Sequence, residues 1–538
     1  MTARTRTDFL LLAGFCAFLF FYGLGQFGLI GADEPRYAQV AREMLERRDW
    51  ITPVLNGRPW LEKPPLYYWE AMLAYSALGV SEVTARIPSA IDGSLLVIAV
   101  YFFFLRFRRG GAIDAALITA SCAGIIGYSR AASMDMPLAA TFGVGMLAWW
   151  AWREKARRIY LALFFFSIGL GMLAKGPVAP FLAAVIIGLY SWTAREFRLV
   201  FRTLWLPGIL LFCAIALPWY VAVQLRNPQF FREFILEHNL ARFSTNLYHH
   251  REPFWYYIPV VLLALLPWVV FVMVMFVDTV RAWWPKRNNF TPEPDLEFQF
   301  SLYAICWFIV PVFFFSFSQS KLPGYILPSV PAGALLLAEY LRRRMGREES
   351  IPKWIAALHG LVAALPILPA LLIAHLISRH HLPEGQPRFI AIAIATAVCV
   401  GIVLTLISRY GFRMLRFVTL VPVVLVVAAV IRFGSNSIDQ ELSARPLAGV
   451  LAGMETHMLP VAVCGTSREL EYGLAFYRNQ DIARYEDKEI PSGEHLLIAS
   501  PAWKSNVVEW TAGRRLSLLG HDAPQNVDYY WVAAAPKP

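Results

Sequence analysis

Charge is scarce in this sequence: Asp, Glu, Lys and Arg make up 16% of its 538 residues, against about 25% in a soluble domain. That scarcity excludes a disordered chain and most soluble enzymes. Cysteine is scarce as well, with six residues, of which Cys16, Cys122, Cys213, Cys306 and Cys399 fall inside apolar stretches and Cys464 in a polar tail. No CxxC occurs, so neither a disulfide framework nor a zinc ribbon is implied. No GxxxxGK[ST] run occurs, so a nucleoside triphosphate is not the obvious energy source. No internal repeat and no low-complexity tract is visible. No A-x-A-like site follows the first apolar stretch, which reads as a retained anchor rather than a cleaved signal peptide.

Apolar residues are in excess, at 57% with aromatics at 14%, and the combination implies an α-helical polytopic membrane protein. About thirteen stretches approach the roughly 20 apolar residues that a transmembrane helix needs. They lie near 9–29, 85–105, 112–128, 136–152, 159–174, 176–193, 204–224, 255–277, 299–317, 323–341, 354–377, 388–407 and 416–433. The formal charge of +11 sits in short clusters between them, which points to membrane orientation rather than to nucleic acid. Clusters such as Arg106 with Arg108 and Arg109, Arg153 with Lys155, and Arg342 with Arg343 and Arg344 all occupy loops of one parity. The positive-inside rule therefore predicts a cytoplasmic N-terminus. With an odd number of spans, the tail lies on the outer side of the membrane.

The chain thus divides into a membrane domain over 1–433 and a tail over 434–538. Within the tail, the β-rich runs 460-PVAVCG-465, 495-HLLIAS-500 and 528-DYYWVAAA-535 alternate with helix-compatible segments such as 467-SRELEYGLAFYR-478. This pattern predicts a small α/β domain. Gly465 reads as a strand end or as the opening of a phosphate-binding turn.

The polar residues of the membrane domain gather on the outer side. The segment 31-GADEPRYAQVAREMLERRDW-50 carries Tyr37, Val40, Ala41, Met44 and Leu45 at helical spacing. Amphipathic helices along the membrane surface are expected over about 34–80. Glu62 and Lys63 then precede a double proline and an aromatic run, at headgroup level. Asp135, Lys175 and Lys321 each sit in a short outer loop, and 237-EHNLARF-243 contributes Glu237, His238 and Arg242. Membrane-level charges are expensive and face aqueous cavities, so their one-sided distribution marks a site.

Each residue has a structural alternative. Asp33 and Asp135 could be helix N-caps, Glu62 and Lys63 an ion pair, and Lys175, Lys321 and Arg242 snorkelling anchors. As an assembly, two carboxylates among fixed cations suit transfer of a group from a lipid-linked phosphate. The cations Lys63, Arg242 and Lys321 would stabilise the phosphate that leaves, and an aspartate would orient or deprotonate an acceptor hydroxyl. A transporter or flippase of lipid-linked saccharides is the alternative. It would place ionisable groups near the bilayer middle and often shows repeated halves.

The blocks 31-GADEPRYAQ-39, 61-LEKPPLYYW-69, 133-SMDMP-137, 253-PFWYY-257 and 320-SKLPGYILP-328 resemble those of the bacterial lipid A aminoarabinose transferases. They are similar also to relatives among the dolichyl-phosphate-mannose protein mannosyltransferases, over roughly residues 1–435. The resemblance implies a GT-C glycosyltransferase fold with a periplasmic site, an undecaprenyl-phosphate-linked sugar donor, and a glycolipid acceptor such as lipid A, with protein or polysaccharide as other acceptors. By this resemblance Asp33 and Asp135 match the family's two catalytic aspartates. Lys63 and Tyr325 match residues at the donor phosphate, while Glu62 and His238 match a pair that holds a divalent, zinc-like metal. No cofactor is expected to be essential.

Overall fold

The computed structural model describes residues 3–108, 110–234, 252–286, 296–344, 351–379, 383 and 385–535. The chain is mainly helical up to residue 454, since a backbone in hydrocarbon must satisfy its polar groups within its own segment. The first nine α-helices are α1 (Ala3–Cys16), α2 (Asp33–Arg47), α3 (Leu66–Leu78), α4 (Glu82–Phe107), α5 (Ala112–Ser121), α6 (Ala123–Ser129), α7 (Asp135–Lys155), α8 (Arg158–Lys175) and α9 (Val178–Thr193).

Among the described residues, eight helices are long and apolar enough to cross a membrane, or ten if each of two bent pairs is one span. The sequence pattern predicts about thirteen, and the difference has identifiable causes. Helices α5 and α6 meet at 66°, and Phe254–Ala264 meets Val269–Trp283 at 116°. Helix α1 stops short and continues as a π turn over Ala17–Phe21. Helix α9 has 16 residues. Helix α7 is long enough at 21 residues, but its three tryptophans and terminal charges lower its apolarity.

Helix α7 measures about 30 Å at 1.5 Å per residue, and its two ends differ in chemistry. Asp135 opens it, and Arg153, Glu154 and Lys155 close it. At the closing end the basic ends of several helices meet. Arg108 reaches Glu154 at 2.8 Å, Arg153 reaches Glu196 at 2.6 Å, and Arg342 reaches Glu339 at 2.9 Å and also Glu297. Glu339 is fully buried there.

Helices α2 and α3 cover the opposite end. Tyr37, Val40, Ala41 and Met44 of α2 pack on Tyr67, Tyr68, Ala71, Met72 and Tyr75 of α3, as the spacing predicts. Between them a short hairpin pairs β1 (Val54–Leu55) with β2 (Arg58–Pro59). Asn56 and Gly57 both take positive φ, the geometry of the tight turn that Asn-Gly favours. Buried Glu43 accepts both of their amide protons, at 2.9 and 3.1 Å, and so fixes the chain that leads to Glu62 and Lys63.

A buried ion pair stands at the centre of the attachment of this surface layer to the bundle. Arg86 of α4, 1% exposed, donates to Glu34 from Nη2 at 2.7 Å and from Nε at 3.2 Å. Its remaining N–H groups reach the carbonyls of Leu24, Phe27 and Gly28 at 2.7–2.9 Å. Glu34 in turn accepts the amides of Ile30 and Ala132, at 2.9 and 2.8 Å.

The tail forms a five-stranded sheet in the order β4-β3-β5-β7-β6, with β3 (Val461–Cys464), β4 (Ala483–Arg484), β5 (His495–Ala499), β6 (Leu516–Asp522) and β7 (Val527–Val532). Strand β3 is parallel to β4 and β5, and β7 is antiparallel to β5 and β6. The three runs read as strands are β3, β5 and β7, and 467–478 is helical. Gly465 ends β3 at φ +63°, with the Trp503 indole over it. The tail clamps the 25–30 segment from the other side: Asp439 accepts the Gly28 amide at 2.7 Å, Tyr477 accepts that of Leu29 at 2.8 Å, and Arg445 reaches the Gly25 carbonyl and Glu82, both at 3.2 Å.

Removing one partner of the buried pair leaves the other charge unmatched, at a cost of about 3–5 kcal/mol. Glu34→Gln and Arg86→Met are therefore expected to lower the thermal midpoint of the detergent-purified chain sharply. A wild-type midpoint for either would show that the pair does not anchor the layer.

Candidate active site

Asp33 is the first residue of α2 and Ala32 is the N-cap, without a side-chain cap bond. The cap reading of Asp33 is thus corrected: the helix starts one residue earlier than a capping Asp33 would require, and the carboxylate is turned to Arg36 one helical turn on. Neighbouring Glu34 points inward to Arg86, so Asp33, about 100° round the helix, stays half-exposed, at 52%.

Arg36 lies among three aromatic rings: Tyr37 at 5.2 Å, Trp60 at 5.3 Å and Tyr472 at 5.6 Å. Such contacts contribute about 0.5–1 kcal/mol at exposed sites and ~2 kcal/mol when desolvated. Burial opposes the charge on Arg36, but Tyr37, Asp33, Glu62 and Tyr472 outweigh it and hold its pKa above the usual value. Its Nε is buried without a hydrogen-bond partner.

Asp135 opens α7, again behind a residue, Met134, that makes no side-chain cap bond. Ser133 Oγ accepts the Asp135 amide proton at 3.0 Å and donates to Asp135 Oδ2 at 3.1 Å. Lys175, the last residue of α8, pairs with Oδ1. The Lys175 Nζ also stands 4.6 Å from the centre of the Tyr325 ring, which packs on Phe315 at 5.1 Å. Gly324 makes this approach possible, because a Cβ there would come within 2.6 Å of the Asp135 carboxyl carbon.

The two aspartates belong to one cluster. Burial raises the pKa of Tyr37, and the fields of Asp33, Asp135 and Glu62 add to the rise while Arg36 opposes it. Tyr128 of α6 also feels both Asp135 and Asp33. Of the residues expected at a donor phosphate, Lys63 lies in the loop before α3 and Tyr325 in the short 3-10 helix Pro323–Ser329, at this same end. Lys321 is buried and donates to the carbonyls of Ser318 and Glu252, at 2.6 and 3.0 Å. Tyr257 holds the same loop, donating to the Leu322 carbonyl at 3.1 Å. The lysine seated on Asp135 is Lys175.

Arg242 and His238 lie outside the described residues. Glu62, the other half of the expected metal pair, acts on Arg36, Tyr37 and Tyr68. Among the described residues no three His, Cys, Asp or Glu side chains converge as a metal cage. Sequence reasoning passed over Arg36 and Gly324. The signal for Arg36 is its i, i+3 spacing from Asp33, and that for Gly324 is a glycine between Pro323 and Tyr325.

Close to the cluster in sequence, α6 and the bent helices enclose an apolar cavity of about 280 Å³, with Phe27, Ile126, Arg130, Pro267, Pro422 and Val427 in its walls. Arg130 donates there to the carbonyls of Tyr22 and Leu19, at 2.9 and 3.1 Å. The site as a whole offers carboxylates, one half-exposed, matched by cations at the edge of an apolar bundle. It is built to hold an anion with an apolar tail and to orient a second reactant beside it.

Gly324→Ala is expected to displace the Asp135 carboxylate while leaving the fold intact. A displacement of about 1 Å in such a site costs on the order of 10²-fold in rate. Group transfer by the purified variant, measured beside its thermal midpoint, checks this; wild-type turnover would show that Asp135 need not stay where Gly324 lets it lie.

Residues 7–232 match the profile of the dolichyl-phosphate-mannose-protein mannosyltransferase family. An undecaprenyl phosphate-alpha-4-amino-4-deoxy-L-arabinose arabinosyl transferase of Aeromonas hydrophila is 29% identical over 499 residues, 85% of this chain and 87% of the relative. That of Pseudomonas paraeruginosa is 30% identical over 392 residues, 71% of this chain and 68% of the relative. Among solved structures, ArnT from Cupriavidus metallidurans bound to undecaprenyl phosphate superposes with a TM-score of 0.76 at 22% identity, covering 100% of both chains. Its apo state gives 0.74 at 20% identity, covering 99% of this chain and 100% of that one. The fold is therefore that of the GT-C glycosyltransferase ArnT, and the identity over more than two thirds of both chains makes this protein a member of the undecaprenyl phosphate-aminoarabinose arabinosyl transferase family.

Proposed function

We propose that this chain is an inner-membrane glycosyltransferase that moves 4-amino-4-deoxy-L-arabinose, or a similar sugar, from undecaprenyl phosphate to a glycolipid, with lipid A as the first acceptor. The observation that carries this reading is the meeting of two ion pairs, Asp33–Arg36 and Asp135–Lys175, around Tyr37 at the end of the bundle opposite its arginine-rich loops. The family of its relatives supplies the donor and the sugar.

In this reading the acceptor oxygen attacks the anomeric carbon, the bond from that carbon to the phosphate oxygen breaks, and undecaprenyl phosphate departs as an anion. Arg36, Lys63 and Lys175 stabilise the growing negative charge, and Arg242, Lys321 and Tyr325 complete the donor-phosphate site. The apolar cavity beside Arg130 takes part of the isoprenoid chain. A hydroxyl acceptor passes its proton to Asp33, an effect of about 10²–10⁴-fold; a phosphate acceptor has no proton to lose, and Asp33 then positions groups. Asp135 holds Lys175 toward the phosphate. Glu62 and His238 would hold a divalent metal that turnover does not require.

The reading includes an N-terminus in the cytoplasm, all thirteen apolar stretches crossing the membrane, and a periplasmic unit from residue 434. The alternation of basic loops and the gathering of their charges at one end of the bundle support it. A reporter active outside the cytoplasm is expected to work when fused after Pro538; activity confined to the cytoplasm would invert the topology.

Purified in detergent without a gradient, the chain is expected to form glycosylated product, where a flippase would form none. Asp33→Asn is expected to lower turnover at least about 10²-fold while the protein still inserts, and exhaustive chelation to leave turnover in place. Mass spectrometry of lipid A from cells with and without the chain identifies the acceptor. An identical lipid A profile together with sugar lost from an exported protein or polysaccharide would reassign it.

A further inference from the structure

The helix Arg468–Arg478 has two loyalties. Leu470, Leu474 and Ala475 pack into the core of the tail's own sheet. Phe476 instead joins the core between α2 and α3, and its carbonyl accepts from Arg42 at 3.1 Å. Asn479, just past the helix, donates to Glu46 at 3.1 Å, and Tyr477 takes the Leu29 amide. The helix is thereby fixed along α2, the helix that carries Asp33 and Arg36, and the residue it presents to that site is Tyr472, 5.6 Å from the Arg36 guanidinium.

We infer that Tyr472 is a positioning residue of the transfer site: its ring, delivered by the C-terminal domain, holds Arg36 against Asp33 and so completes the place where the donor's phosphate is received. Tyr37 and Trp60 border the same guanidinium from the membrane domain. Arg36 Nε has no hydrogen-bond partner, so the aromatic faces help to define the orientation of the guanidinium beside the carboxylate of Asp33. Without Tyr472 one side of the guanidinium meets water, the side chain regains rotamers, and half-exposed Asp33 loses a fixed partner. The tail therefore enters the site through one ring, and a role for residues 434–538 follows from it.

This inference rests on the transferase reading above, and the experiment separates the two. Turnover is measured on the full-length chain with undecaprenyl-phosphate-linked 4-amino-4-deoxy-L-arabinose. Tyr472→Leu and Tyr472→Met, which keep bulk without an aromatic face, are expected to raise the KM for this donor about five- to ten-fold, the scale of one partly desolvated cation–π contact. Their kcat and thermal midpoint stay within about two-fold and a few degrees of wild type. Tyr472→Phe is expected to stay within about two-fold, because the ring face rather than the hydroxyl acts. In an Arg36→Gln background, Tyr472→Leu is expected to add less than about two-fold, the signature of a residue acting through its neighbour. An unchanged donor KM in Tyr472→Leu, an equal loss in Tyr472→Phe, or a full effect without Arg36 would overturn the inference. If the wild type itself turns over no polyprenyl donor, the proposed function fails, and the binding of undecaprenyl phosphate alone, followed by tryptophan fluorescence, then tests Tyr472: weaker binding by Tyr472→Leu supports it and equal binding overturns it.

Discussion

The contact on which the rest depends is the buried pair of Glu34 and Arg86. As an energy term such a pair is close to neutral against an apolar replacement; its value here is positional. One guanidinium organises the carbonyls of Leu24, Phe27 and Gly28 and the carboxylate of Glu34, while that carboxylate ties down Ile30 and Ala132. The connection from the first helix, the start of α2, the start of α4 and the loop before α7 thus share one node. Both candidate aspartates stand next to it in the chain: Asp33 adjoins Glu34, and Asp135 lies three residues beyond Ala132. Turning Glu34 inward is also what leaves Asp33 facing outward.

The charges divide by function along the length of α7. At one end the arginines are matched by buried or half-buried carboxylates in a closed network. At the other, each aspartate has a cation, but the Asp33 carboxylate is still half open and the Arg36 Nε is without a partner. Arg108 and Arg153 also keep buried N–H groups without a partner at the first end, so what sets the second end apart is the half-open carboxylate of Asp33, an accessible charge next to the apolar bundle.

Much of this was legible in the sequence, for reasons particular to each element. Helix α2 announced itself through Tyr37, Val40, Ala41 and Met44, and strands β3, β5 and β7 through runs whose residues are almost all buried. Strand β6 stayed hidden because it lies at the edge of the sheet and is partly exposed. Asp33 and Asp135 stood out as acids at the ends of apolar stretches, but whether either caps its helix depends on a one-residue difference in where the helix begins. Lys175 and Lys321 looked alike as outer-loop lysines. What separates them is the local backbone: the Ser318 and Glu252 carbonyls surround Lys321, while the end of α8 delivers Lys175 to Asp135. Arg86 and Tyr472 were hidden for a different reason, since their partners are 52 residues away in one case and in another domain in the other. The bends were not legible either, because apolar composition does not reveal a turn such as the 116° one before Val269.

The closed network at the far end of α7 also constrains how the molecule is made. Arg108 and Glu154 emerge from the ribosome early, but Glu297, Glu339, Arg342 and Arg343 come well over a hundred residues later. During synthesis the first half of the bundle can therefore pair Arg108 with Glu154 and Arg153 with Glu196 by itself, and the helix Val330–Arg344 later brings fully buried Glu339 together with its own counter-ions Arg342 and Arg343, so that this carboxylate never has to enter the bundle alone.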